Sequence, residues 1–495
     1  MSPASDAVDV ALDTPITLEL SEPAPADFSV ALTAATGEPI EHAIAIDGNT
    51  VTITPADPLW IATGYDLAVE RADFASKFQT RDGAWKAVPI ATQMMAAAGP
   101  LGSGAAPSLA ALPDGTVFAG WEGGSSLYDQ KFTPASGWLP MPGRLGVTGD
   151  PGSVDVQAVS PTRAVAMHDR YITRSNIEAR TYNGAQWSAP VIVGPYQVGT
   201  VRYDQYVGGI AASEQTYALT FHRGDFDADQ FDAYGSIHNG SAWSAPFLVE
   251  ELPGEASSTR IIADGRGGYV IVWIQRSVDR LSTAVWMRTL SGSGVLGTPQ
   301  KLDDGEGNTH GLALSRGGDT VWIAWAHGRD GSSIKNRVVT RPFTASGLGA
   351  AHSRDVDGYF GDAWLQLDAS ARGVLLVYAI YGGVFASMQT NGTWSPFHEV
   401  EKIPMTVGSE VGRPALALDD RNNATIVWTR VPASGRRVTV VARARNGNWS
   451  QATQLDEGTT STYAWASVVD AAGRVTTTWT QSNQTSYTVW SAHLE

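Results

Sequence analysis

The strongest constraint on this chain is a recurrence of about fifty residues. A large apolar or aromatic residue closes a β-rich run at Trp121, Met167, Phe221, Trp273, Trp325, Tyr378, Trp428 and Trp479, and subtracting their positions gives spacings of 46 to 54 residues. A second marker, a tight-turn sequence running into tryptophan, recurs at Trp85, Trp138, Trp187 and Trp243, near Val295 and Leu348 in weaker form, and at Trp394 and Trp449. A unit of this length cannot bury its own apolar faces and must stack on copies of itself. Both sets of markers therefore read as packing. Aromatic residues fill the space between units, and strings such as "YNGAQWSAPVIV" (182–193) and "RNGNWSQATQL" (445–455) place Asn-Gly where a tight hairpin needs positive φ.

The order of the markers shows how the units join. Trp85 precedes the first inner marker, Trp121, whereas Trp479 has no turn-tryptophan after it before the chain ends at Glu495. One four-stranded unit is thus split between the two ends of the array. Pairing residues 84–91 with the sheet of 463–494 would remove two open sheet edges. The expected fold is all-β, with residues 81–495 forming an eight-bladed β-propeller closed by a split blade. Seven blades remain open if the weak unit around 295–350 is incomplete. The 52 glycines and 17 tryptophans, against 8 methionines, agree with many short strands.

Residues 1–80 are different. They alternate apolar and polar positions in short runs, "ITLEL" (16–20), "FSVALT" (28–33), "AIAI" (43–46), "TVTITP" (50–55) and "YDLAVE" (65–70), with "DGN" at 47–49 as a hairpin signal. About seven short strands in this length suit a small β-sandwich. The pattern "VALDTPITLELSEP…DGNTVTITPADPL…GYDLAVE…FQT" resembles a bacterial Ig-like domain of the surface-layer type. That resemblance implies a spacer or stalk in an extracellular, cell-surface or periplasmic protein, and so location more than activity; adhesion or carbohydrate binding is the expectation for the chain as a whole.

Charge and composition exclude several classes. The formal net charge is −16. Residues 1–80 hold 8 Asp and 5 Glu against Arg71 and Lys77, a net of −11, so the acidity is concentrated there. Without a basic stripe, nucleic acid is not an expected partner. The absence of cysteine removes disulfides, thiolate metal sites and a cysteine nucleophile. No apolar run approaches the length of a membrane span, and "MSPASDAVDV" lacks the pattern of a signal peptide.

In a propeller, residues just past each inner marker and residues starting each inner strand ring one mouth of the axis. The first set contains His168, Asp169, His222, Arg223, Gln275, His327, Arg430 and Gln481; the second contains Tyr203, Tyr206, Arg260, His310, Tyr359, Trp364, Arg413, Tyr463 and Trp465. From these, His168, His222, Arg223, Arg260, His310, His327, Trp364 and Arg430 are the candidate ligand-binding residues. Stacking on aromatic rings with planar guanidinium donors suits a glycan or an acidic ligand. Alternate carboxylates at Asp225, Asp227 and Asp229 could converge on Ca²⁺, although Gln230 and Ser236 break the EF-hand pattern.

The array is similar to sialidase-like and lectin-like bacterial propellers. Its "NGTWS" and "NGNWS" turns lack the Ser-x-Asp start of the sialidase repeat, and no Arg-Ile-Pro element lies near the first unit. HExxH, GxSxG and a phosphate-binding glycine loop are also missing. Two functions follow. The first is recognition of a glycan or surface protein through one propeller face, with an anionic partner suggested by the arginines. The alternative is a lyase acting on uronic-acid polysaccharides, with His222 or His327 and Tyr206 or Tyr359 as base and acid.

Overall fold

A computed structural model describes the chain except for residues 36, 57, 71–73, 82, 84, 95–106, 124–125, 140–142, 145–149, 172–174, 196, 199–200, 226–229, 304–307, 329–335, 357–363, 381–382, 404–410, 432–434, 446, 457–460, 483–485 and 495. Every regular element among the described residues is a strand. No helix there is long and apolar enough to cross a membrane.

Alternation dictates the N-terminal unit. One sheet runs Ala7–Val10, Phe74–Thr80, Gly64–Val69, Val30–Ala34, and the other runs Ile16–Glu19, Thr50–Pro55, His42–Asp47. Cross-strand partners such as Ile16 with Ile53 and Leu18 with Val51 put every second residue inward. Those residues meet Leu32, Tyr65, Leu67 and Phe78 in one core. The turn at 47–49 closes the hairpin between Asp47 and Thr50, with Gly48 at φ 60°.

Eight antiparallel sheets make up the rest, each of four principal strands apart from short additions. Their second strands are Val117–Gly123, Arg163–Tyr171, Tyr217–Asp225, Tyr269–Arg276, Thr320–Gly328, Gly373–Ile380, Ala424–Arg430 and Val475–Ser482. Each carries one member of the fifty-residue marker series, and all eight markers are buried. Several stack on an aromatic residue directly across the ladder: Trp121 on Tyr128, Phe221 on Tyr234, Tyr378 on Phe385 and Trp479 on Trp490. Such cross-strand pairs are the unit of sheet stabilisation. The sequence around 295–350, weak in turn-tryptophan signal, folds into a full sheet with inner strand Asn308–Gly317. There Leu348 pairs with Phe343 in place of tryptophan.

The first strands of the sheets adjoin one another in sequence: Ser108–Ala111, Asp150–Ser160, Val201–Ala212, Glu255–Ala263, Asn308–Gly317, Trp364–Ala369, Ala415–Leu418 and Ser461–Val469, the last also touching the first. The final sheet has the order Ser461–Val469, Val475–Ser482, Ser486–Leu494, Trp85–Met94. Its outer strand comes from the start of the array and pairs antiparallel, from Ser486 with Met94 to Leu494 with Trp85.

The sandwich is docked against the sheet array. Leu12 and Ile61 enter a cluster with Ala417, Ala472, Val475 and Leu494, and the Ile61 N–H donates to the Ala472 carbonyl at 3.0 Å.

Candidate functional site

Each sheet has two ends. At the turn end, first and second strands are joined by a hairpin; at the entry end, the first strand begins and the second finishes. Antiparallel register sets which residues share a level at the entry end. Tyr206 lies opposite His222, His310 opposite Ala326, Trp364 opposite Ala379 and Tyr463 opposite Thr480, and in every case the partner is the residue just past the marker. Arg413 reaches the same level, since the Gly412 N–H donates to the Thr429 carbonyl.

Three of these side chains are aromatic and open to water: Tyr206 is 56% exposed, Trp364 45% and Tyr463 40%. Large aromatic side chains are otherwise drawn into cores, so three at one level on three inner strands form an unusual surface. Tyr206 leans on Phe231 with ring centroids 5.5 Å apart, and the Arg437 guanidinium lies 5.3 Å from the Tyr463 ring. The hairpin between Arg276 and Thr283 adds exposed Val278 and Leu281 at the same end.

A local irregularity shapes this level. The register shifts between Val207 and Gly209, Ser257 and Arg260, His310 and Leu312, and Tyr463 and Trp465. These four inner strands therefore carry a bulge next to the entry-level residue, and Asp150–Ser160 likewise shifts register beside Val154. Bulges bend a strand and re-aim its side chains, and they recur beside functional sites. Gly311 takes φ 64° there, and Ser258 takes φ 54° without being glycine.

Just inside this level three charged groups from three different sheets influence one another electrostatically. The Arg260 Nη1 donates to the carbonyls of Gly208 and Thr259, both at 3.1 Å. Burial pulls the Arg260 pKa down, while the charge of Asp155 opposes the shift. Asp155 accepts from the Ser108 hydroxyl at 3.2 Å and the Ile210 N–H at 3.3 Å, and burial raises its pKa. Arg413, two residues before the strand Ala415–Leu418, is open to water yet closely surrounded by protein. Burial, then the like charge of Arg260, bring it to about 10, against Asp155. Its Nη2 donates to Gln366 Oε1 at 3.3 Å.

Several residues expected at this mouth are used elsewhere. His168 is wholly buried 3.8 Å from Glu178. His222 is buried against Thr259, whose N–H and hydroxyl lie 3.1 and 2.6 Å from its Nε2, and burial, then Arg260, lower its pKa to about 4. It is thus a poor general base near neutral pH. Arg223 is also buried, stacked over the rings of Tyr234 and Phe221. His327 Nε2 accepts the Trp325 indole N–H at 2.9 Å and lies 3.7 Å from Asp303. Arg430 is paired with Glu401, which also accepts the Trp428 indole N–H at 2.8 Å.

These corrections share one cause. Residues just past the marker point between neighbouring sheets, where an indole N–H or a carboxylate needs a partner, and so they are not free loop ends. Of the candidates, Trp364 and His310 lie at the entry level, and Arg260 lies just inside it, opposite Val272. Tyr359, Asp227 and Asp229 lie outside the described residues, while Asp225 ends the strand Tyr217–Asp225. No group of three metal-ligating side chains occurs among the described residues. Tyr463 and Arg413, left out of the candidate set, become visible when strand starts are aligned by register and not by residue type. A cavity of about 240 Å³ lies away from this end, at the domain junction, bordered by Arg81, Asp470, Arg474 and His493.

Residues 1–85 match the family model of the bacterial Ig-like domain. No curated protein matches the chain. Solved structures similar to it include the β-propeller domain of the trilobed protease from Pyrococcus furiosus, at 10% identity and TM-score 0.41, covering 73% of this chain and 98% of that chain. The α-L-arabinanase of Penicillium chrysogenum, complexed with arabinobiose, matches at 8% identity and TM-score 0.37, over 82% of this chain and 98% of that chain. The GH93 α-L-arabinofuranosidase of Fusarium graminearum matches at 12% and 0.37, over 58% and 93%. Likenesses at these scores say nothing about what this chain does. The fold itself is all-β, an Ig-like domain followed by a propeller-like array of sheets.

Proposed function

We propose that this is a glycan-recognition protein of the bacterial cell surface or exterior, holding sugar over the entry end of its sheet array. The observation that carries the reading is the level of exposed aromatics, Tyr206, Trp364 and Tyr463, set at one register position on three inner strands. Sugar rings present apolar C–H faces that stack on such side chains, and nearby amide and guanidinium donors meet the hydroxyls. The bacterial Ig-like domain supports the location. Recognition is favoured over lyase chemistry because His222 is sequestered with a lowered pKa and His327 is committed to Trp325.

The array itself is read as eight blades closed by a split blade, residues 1–80 forming the sandwich and 81–495 the propeller. The cyclic order of inner strands and the pairing of Trp85–Met94 with Ser486–Leu494 support this. Removal of residues 84–91 should then expose a sheet edge and produce aggregation on size-exclusion chromatography. A monomeric variant of unchanged melting temperature would disprove closure.

For the site, Trp364→Ala and Tyr463→Ala should each weaken binding to a responsive glycan on an array by about tenfold or more, equivalent to ~1.4 kcal/mol, with the far-UV spectrum unchanged. Full binding by the double variant would remove the entry end as the site.

A further inference from the structure

Among the described residues just inside the entry end, two arginines share one aspartate. Arg260 and Arg413 belong to the fourth and seventh sheets, and the second sheet supplies Asp155. Both oxygens of that carboxylate already accept protein hydrogen bonds, Oδ1 from Ser108 and Oδ2 from the Ile210 N–H. Arg413 has five N–H donors, of which Nη2 meets Gln366 Oε1 at 3.3 Å among the described residues. Arg260 spends Nη1 on two carbonyls. Arg260, on the strand Glu255–Ala263, and Arg413, two residues before the strand Ala415–Leu418, thus feel one another's charge and have N–H donors beyond these contacts.

We infer that the entry end takes an acidic glycan, with a carboxylate or sulfate ester of the ligand seated between Arg260 and Arg413 beneath the level of Tyr206, Trp364 and Tyr463. This rests on the glycan reading above and adds the charge of the ligand. An oxyanion would meet planar donors suited to bidentate contact and relieve the repulsion between the two arginines, whose pKa values are both depressed chiefly by burial. A neutral sugar would leave that repulsion in place. The surrounding protein is strongly acidic, at −16 overall, so selection for an anionic ligand must come from this local pair and not from the field of the whole molecule.

The test uses the full chain with oligogalacturonate, its methyl ester, sulfated and carboxylated glycan oligomers, neutral oligosaccharides and inorganic sulfate. Binding is followed by calorimetry for the oligomers and by melting temperature for sulfate. The expected result is at least one acidic oligomer bound about tenfold or more tightly than its neutral or esterified counterpart. That preference should vanish in Arg413→Gln, return in part in Arg413→Lys, and shrink as salt rises from about 0.05 to about 0.5 M. Neutral oligomers binding as tightly as acidic ones, in a Trp364-dependent manner, would overturn the charge inference and leave the glycan reading standing. An acidic preference that survives Arg413→Gln overturns the assignment to this pair. No oligomer binding, together with no Arg413-dependent stabilisation by sulfate, overturns both.

Discussion

The two ends of the inner strands are built from similar residues and treat them in opposite ways. At the turn end, an acid or hydroxyl caps several of the hairpins by accepting backbone N–H groups two to four residues on. Asp264 accepts from Arg266 and Gly268, Ser370 from Arg372 and Gly373, Asp419 from Arg421 and Asn423, and Asp470 from Ala472 and Arg474. These are side-chain-mimicked turns. Arginines of the same hairpins reach carbonyls of the next sheet, Arg163 to Glu214 and Arg266 to Asp319, and so lace neighbours together. At the entry end, the aromatics face water and Arg413 keeps donors unspent. Polar groups satisfied within the protein hold a fold together. Groups left wanting a partner are where a ligand gains by binding.

That contrast is broken most directly by exchanging damage between the ends. Asp470→Ala removes the acceptor for two backbone N–H groups and for Arg474 Nε at 2.6 Å, in a buried turn. It should cost about 2–4 kcal/mol of stability while leaving glycan affinity within twofold. Trp364→Ala, at the exposed level, should cost less than about 1 kcal/mol and forfeit binding. Chemical denaturation alongside calorimetry measures both. If Trp364→Ala proves the more destabilising, the entry level is part of the core, and its exposure carries no functional meaning.

Much of this architecture was legible in sequence because buried packing repeats. The marker at Trp121, Trp273 or Trp479 is large and apolar since it must fill the same inter-sheet space each time, and a fifty-residue period survives divergence around it. The entry level was harder to read. Its residues vary by nature, and the register that aligns Tyr206 with Tyr463 passes through bulges at Gly208 and Ala464 that no local pattern announces. Residue type then misled. His168 and Arg223 looked functional as charged groups near loop ends, whereas packing between sheets had absorbed them. Tyr463 lies on the ring of strand starts but outside the candidate set, and it is exposed.

The turn end also receives the Ig-like domain, which suggests why its acidity is where it is. Glu38 of the sandwich reaches Arg372 at 2.9 Å and Arg421 at 3.6 Å, two arginines of adjacent hairpins, and the Arg421 guanidinium lies 4.2 Å from the Trp60 ring. The apolar contact of Leu12 and Ile61 with Ala472, Val475 and Leu494 lies beside it. Apolar burial should dominate this junction, because Glu38 and Arg372 are both partly open to water and solvent-screened ion pairs are worth little. Glu38→Ala should therefore destabilise by less than about 1 kcal/mol, and the deficit should narrow as salt screens the pair in the wild type. Ile61→Ala, which empties a buried side chain, should cost about 2–4 kcal/mol with no salt dependence. Melting curves of both variants at low and high salt distinguish the two contributions. A Glu38→Ala deficit above about 2 kcal/mol, or one indifferent to salt, would mean that charge holds the domain in place, and that the −11 of residues 1–80 is a docking device for the arginine-bearing hairpins.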